Sequence, residues 1–193
     1  MAKVFRNGRS MIVIVLMLML MIGYFYHISN RDTSQTTQAE SEKSTSVVAS
    51  VLLRNLERNY PSTPKEVIKY YAELNQVLYS EEYSEVEFRA LASKMRLLFD
   101  EELVANQSDE EYQEGLKDEI ESFRKNNWVI SSFATSASTD VERFSQDGFE
   151  FARLYCTFTI RQSGSYGSTQ EVFLLRKASD GHWKIYGWQL VKD

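Results

Sequence analysis

The chain has 193 residues, 43% of them hydrophobic and 25% charged, and a formal net charge of −5. These values suit one globular domain with appendages, and they exclude both wholesale disorder and a polytopic membrane protein. The average conceals a polarised chain: five of the six methionines lie in the first 21 residues, and up to Arg31 there are four basic side chains and no acidic one.

Met11 to Ile22 is an unbroken apolar run, and Gly23 to Ile28 extends it to 18 residues without a formal charge. At about 1.5 Å per residue an 18-residue helix covers roughly 27 Å, enough for a thin hydrocarbon core. Tyr24, Phe25 and Tyr26 fall where an aromatic belt meets the headgroups, and Lys3, Arg6 and Arg9 precede the run. The expected layout is a cytoplasmic stub (1–10), a single-pass transmembrane helix in the lipid bilayer (11–28), and everything beyond it outside the cell membrane. A cleaved secretory signal shares the basic start and apolar middle, but it needs small residues at −3 and −1. The stretch after Ile22 offers Tyr, Phe, Tyr, His and Ile. Residues 29–46 are polar, with Ala39 their one apolar side chain, and read as a flexible linker.

The domain is expected over 47–193. Val48, Val51, Leu52 and Leu56 restore helical spacing before Tyr60-Pro61-Ser62 breaks it. Three capping boxes then announce three helices: Thr63 with Glu66, Ser84 with Glu87, and Ser108 with Glu111. Their apolar stripes run through Val67, Tyr70, Tyr71, Leu74, Val77 and Leu78; then Phe88, Leu91, Ala92, Met95, Leu98 and Phe99; then Tyr112, Leu116, Ile120 and Phe123. Residues 64–127 hold 16 acidic and 8 basic side chains, which read as solvated faces. The D-x-D-x-D-G spacing of a calcium loop is absent, and Asp109 to Glu111 sit in a first helical turn, where the helix dipole favours them.

After Asn127 the periodicity shifts to two. Strands are expected at 128–135, 141–144, 149–161, 169–178 and 182–191, with turns at 145–148, 163–168 and 179–181. Ala152, Leu154, Cys156, Phe158 and Ile160 mark one face of the third strand. Phe149 and Phe151 are out of phase with that series, which suggests a bulge. Cys156, the single cysteine, is expected as a small core residue. The last two strands carry bulk on both faces, so the second face should curl into a cavity, meet a partner, or wrap its own core. Helices followed by an antiparallel meander give an α+β class. The strand half balances seven acids against seven bases and offers no face for nucleic acid.

Tyr60 to Val67, Glu102-Leu103, Phe173 to Arg176 and His182 to Trp188 resemble an uncharacterised family of membrane-anchored proteins from Clostridia, a domain of unknown function. The closing Trp183-Lys184-Ile185 strand, ending on Gly187-Trp188, is similar to the last strand of the nuclear transport factor 2-like (cystatin-like) fold. The resemblance covers about residues 47–193. It implies a cone-shaped α+β domain of about three helices on a curved antiparallel sheet. That fold hosts enzymes, binders and scaffolds, so it supplies no function.

No catalytic constellation stands out. His182 has no nucleophile motif around it, Gly-x-Ser-x-Gly is absent, and one Cys with one usable His cannot make a zinc site. No cofactor or metal is expected. The leading reading is an extracytoplasmic binding or assembly module, with a protein partner or a second copy as its possible companion. Tyr155, Phe173, Tyr186 and Trp188 are its candidate binding residues on the second sheet face. The alternative is a small-molecule enzyme using a cavity carboxylate and tyrosine, for which Asp140, Glu150, Tyr155, Glu171 and Tyr186 are candidates. A third is a secreted domain released by signal cleavage.

Overall fold

The computed structural model describes residues 47–191. The stub, the transmembrane run and the linker expected before Val47 lie outside the described residues. Among the described residues, no helix is long and apolar enough to cross a membrane.

A short helix α1 occupies residues 47–52. It is tied down by the Tyr70 hydroxyl, which donates to the Val51 carbonyl (3.0 Å). The three long helices are α2 (Pro64–Ser80), α3 (Glu85–Arg96) and α5 (Asp109–Lys125). Each begins with the expected box: the Thr63, Ser84 or Ser108 hydroxyl accepts from the third helical N–H, and the glutamate there accepts from the cap backbone. Pro64 opens α2, where its missing N–H leaves no bond unmade.

The expected continuation of the second helix through Leu98 and Phe99 is corrected. α3 ends at Arg96, and Leu98 to Asp100 instead run along the outer edge of the last strand. Ile185 N–H donates to the Leu98 carbonyl (2.8 Å) and Asp100 N–H to the Ile185 carbonyl (2.9 Å). Leu98 and Phe99 are buried from this strand-like segment, with the Phe99 ring packed against Tyr71 of α2 and Tyr112 of α5. Asp100 then caps a one-turn helix α4 (Glu101–Val104).

Five antiparallel strands follow: β1 (Trp128–Thr135), β2 (Glu142–Gln146), β3 (Phe149–Gln162), β4 (Ser165–Lys177) and β5 (Trp183–Leu190). Their order is β1-β3-β4-β5, with β2 also paired to β3. The tight turns explain the length of the central pair. Asp147-Gly148 and Ser163-Gly164 both hold two consecutive left-handed residues (φ 51° and 82°, 45° and 89°). That is the two-residue hairpin geometry matching strand twist. The six-residue Gly/Ser turn expected at 163–168 thus shrinks to two residues, and β4 starts at Ser165.

The bulge expected near Phe149 and Phe151 is absent, since both hairpins of β3 stay in register. Those rings simply share the outer face of the sheet with Arg153 and Tyr155. The register shifts fall elsewhere: Ser131 is extra in β1, and Tyr186 is extra in β5. The helices cover the other face. There α2 lies across the sheet, and Val67, Leu74, Leu78 and Leu91 meet Leu154, Cys156, Phe173, Leu175 and Ile185 in one core cluster. Cys156 is fully buried, as the alternation implies, and burial pushes its thiol up to about 12.

Candidate functional site

The bulge at Tyr186 decides where the predicted residues go. Without it, Tyr186 and Trp188 would share a face. With it, Ile185 pairs with Leu175 and Trp188 with Phe173, so Trp183, Ile185 and Trp188 all turn toward the helices. Tyr186 turns outward, beside Arg176. The four residues expected on one face are therefore split. Phe173 is fully buried on the helix side, with its ring 5.3 Å from Tyr71 and 6.2 Å from Trp188. Tyr155 and Tyr186 lie on the outer face, where Tyr155 is about a third exposed, at 37%.

On that outer face Tyr186 donates to Glu102 (3.0 Å), and its ring meets Phe151 and the Arg176 guanidinium. Arg176 is clamped between Asp100 (2.9 and 2.5 Å) and Glu102 (2.6 Å). Glu102 is held below the usual carboxylate range by Arg176 and Tyr186. Each nitrogen of the guanidinium and the Tyr186 hydroxyl donates to a carboxylate of this cluster, so it reads as a fastener joining α4 to the sheet.

One hollow lies on the helix side, while more open ones lie on the outer face beside Tyr155 and beside Tyr186. The helix-side hollow is the one that gathers aromatic rings and a buried carboxyl. It measures about 470 Å³, within the range of small-molecule sites. Its inner wall comes from α2 and the start of the edge segment: Tyr71, Asn75, Tyr79 and Phe99. β4 and β5 supply Glu171 and Trp188, and α5 supplies Tyr112, Gly115 and Glu119 at the rim. Trp188 stands 5.9 Å from Tyr71 and 5.6 Å from Phe99, and Tyr112 sits edge-on to Phe99 at 5.8 Å. The four rings form a continuous aromatic wall.

Of the five carboxylates and phenols weighed for a cavity, Glu171 alone lines this one. Asp140 sits in an exposed turn beside Thr139, and Glu150 pairs with Lys177 (3.0 Å) at the surface. Glu171 occupies the same strand face as Phe173 and Leu175, opposite Cys156. Burial, with a smaller contribution from the nearby Glu119 charge, raises its carboxyl from the ordinary 4.5 to about 7. Burial also pushes the phenols of Tyr71, Tyr79 and Tyr112 upward, so all three are neutral donors at physiological pH. Among the described residues, the Tyr112 hydroxyl is buried with no hydrogen-bond partner. A buried donor left unmade is costly, and a ligand acceptor in the cavity would satisfy it.

Tyr71, Asn75, Tyr112, Gly115 and Glu119 were not among the expected site residues. Two of them carry a faint sequence signal. Gly115 interrupts a helix between good helix formers, and Asn75 sits in the apolar stripe of α2. A Cβ added at Gly115 would meet nothing within 4 Å, so the rim of the hollow is open at this glycine.

Fold and site together define a small α+β domain with helices packed on one face of an antiparallel sheet and an aromatic cavity between the layers. The chain belongs to the family described as Domain of unknown function (DUF6715), which matches residues 1–188. No match is found among curated proteins.

Proposed function

We propose that the domain is a binding module for a small organic ligand held in the cavity between α2, α5 and the β4–β5 pair. One observation carries this reading: a hollow of about 470 Å³ that gathers an aromatic wall, a carboxyl poised near neutrality and an unpartnered phenol. Apolar walls with a few convergent polar groups are the usual chemistry of ligand pockets.

Gly115 gives the test. Gly115→Ala is expected to raise stability by about 0.5–1 kcal/mol, because glycine in a helix interior is the poorer former and no neighbour opposes the methyl group. Gly115→Trp is expected to keep the fold and plug the rim. A fragment screen by NMR should give ligands that shift Trp188 and Tyr112 resonances in the wild type and lose that effect in the plugged variant. Fragments that bind both proteins equally would place binding elsewhere and end this reading.

The finer features of the reading rest on sequence. The cone-shaped, nuclear transport factor 2-like architecture is supported by the closing strand, and the family's clostridial source by the quoted motifs. The anchored, extracytoplasmic placement is supported by the uncharged run at 11–28 and the basic residues before it. In intact cells or spheroplasts, an externally added protease is expected to reach the 47–193 domain. Full protection, with cleavage only after lysis, would reverse the topology.

A second reading, a small-molecule enzyme, is favoured by Glu171 itself. A carboxyl near neutrality, out of bulk water and among phenols, is suited to proton abstraction. Glu171→Gln separates the two readings: it abolishes turnover in an enzyme, while a ligand that does not need the charge still fills a binding module.

A further inference from the structure

The charge of the cavity lining narrows the ligand class. We infer that the cavity selects an organic cation, with its ammonium head against the aromatic wall and beside Glu171 and Glu119. This rests on the cavity being a binding site, and it adds the sign of the ligand.

The lining holds two carboxylates and no basic side chain among the described residues. Both acids come from different elements, β4 and α5, and converge on one hollow. The Arg96 guanidinium, 5.4 Å from the Tyr112 ring, lies outside the lining and is spent elsewhere. It is paired with Asp109 (2.6 Å) and donates to the Val104 and Gln107 carbonyls (3.0 and 2.5 Å). So nothing in the cavity neutralises Glu171 and Glu119 from within. An anion would face both carboxylates, whereas a cation would relieve their mutual repulsion. The faces of Tyr and Trp rings carry negative potential and attract ammonium groups, more strongly when water is excluded. Burial sets the protonation consequence: Glu171 is about half protonated near pH 7, and a bound cation would favour its charged form. Binding at that pH should therefore release up to about half a proton per site.

Three probes of nearly one shape test the sign: choline, neutral 3,3-dimethylbutan-1-ol and anionic 3,3-dimethylbutanoate, each titrated calorimetrically into the full-length protein at pH 8. The expected order is cation over neutral by about tenfold, with the anion weakest. Glu171→Gln should erase most of the cation's advantage and leave the neutral probe unchanged. Near pH 7, titrations in buffers of different ionisation enthalpy should show net proton release with choline and none with the alcohol. If the neutral probe binds as well as choline, and Gly115→Trp abolishes both, the cavity is a ligand site and the charge selection is wrong. If the anion binds best, the selection is inverted and the inference fails. If no probe binds at millimolar concentration, the inference fails, and the fragment screen then decides separately whether the cavity binds anything.

Discussion

Asp100→Ala is expected to lower the unfolding free energy by about 3–5 kcal/mol, the usual cost of removing one partner from a buried ion pair. Asp100 is 1% exposed, and its carboxylate takes both arms of the Arg176 guanidinium. Its Oδ1 also accepts from Glu102 N–H (3.0 Å) and caps α4. Removal leaves a guanidinium packed between the Phe149 and Tyr186 rings with one remaining carboxylate, Glu102, on its exposed side. The same residue's backbone N–H holds the edge segment to Ile185, so the damage should spread to β5. Asp100→Asn keeps the cap and one hydrogen bond and should cost less. Urea denaturation of the two variants checks this. A loss below roughly 1 kcal/mol for the alanine variant would place the pair with ordinary surface bridges. Because the two side chains act as a unit, Asp100→Ala with Arg176→Met should cost less than the sum of the single changes.

Glu171→Gln is expected to stabilise the domain at pH 8 by about 2–3 kcal/mol and to leave it nearly unchanged at pH 4.5. The sign follows from proton binding. The folded carboxyl holds its proton up to about 7, whereas the unfolded one releases it near 4.5. Between those values the folded state binds more protons, so stability falls as pH rises through that window and levels off above it. A shift of that size is worth about 3 kcal/mol at most, since each pKa unit is about 1.4 kcal/mol. Glutamine keeps the shape and removes the charge that burial penalises. Other acids oppose this trend at lower pH: Glu66, Glu87 and Glu111 are held below their ordinary range by the capping hydroxyls and backbone N–H groups. Their contribution is present above the unfolded carboxylate range and is lost as pH falls through their depressed values. Denaturation midpoints at pH 5 and pH 8 for the wild type and Glu171→Gln test the claim. A wild-type stability that does not fall between those pH values, or a variant that falls as steeply, would show Glu171 to be solvated. A residue destabilising in the empty protein and placed in a cavity is the pattern expected of a functional carboxyl.

Much of the architecture was readable because it rests on local chemistry. A hydroxyl three residues before a glutamate marks each long helix, since both groups complete bonds that the helix end leaves open. Asp147-Gly148 lies in the turn read before the third strand, and the alternation from Ala152 to Ile160 marks its buried face. These signals need no knowledge of neighbours. The same local reasoning carried the helix of Met95 too far, through Phe99, because Leu98 and Phe99 fit a helical stripe as well as they fit a strand edge. The periodicity of Phe149 and Phe151 was misread for a related reason: two large rings suggest burial, yet here they line the uncovered face.

Two of the cavity residues were legible, Trp188 as a candidate binding residue and Glu171 as a candidate cavity carboxyl. Glu171 stands in phase with Phe173 and Leu175 and was one of five acids and phenols considered. Nothing local distinguished it from Glu150. Choosing it required knowing that α2 and α5 leave a gap over this end of the sheet and that the rim is open at Gly115. The sequence by itself determined the basic start and apolar run, the three capped helices, the antiparallel strands and the core role of Cys156, all set by contacts within a few residues or by simple alternation; that β1 skips β2 to pair with β3 is tertiary. The tertiary structure alone decided which side of β5 each ring faces. One extra residue at Tyr186, held by pairing with β4 on one edge and Leu98 to Asp100 on the other, reverses the phase of the strand. It thereby turns Trp188 into the cavity with Glu171 and leaves Tyr186 outside with Arg176.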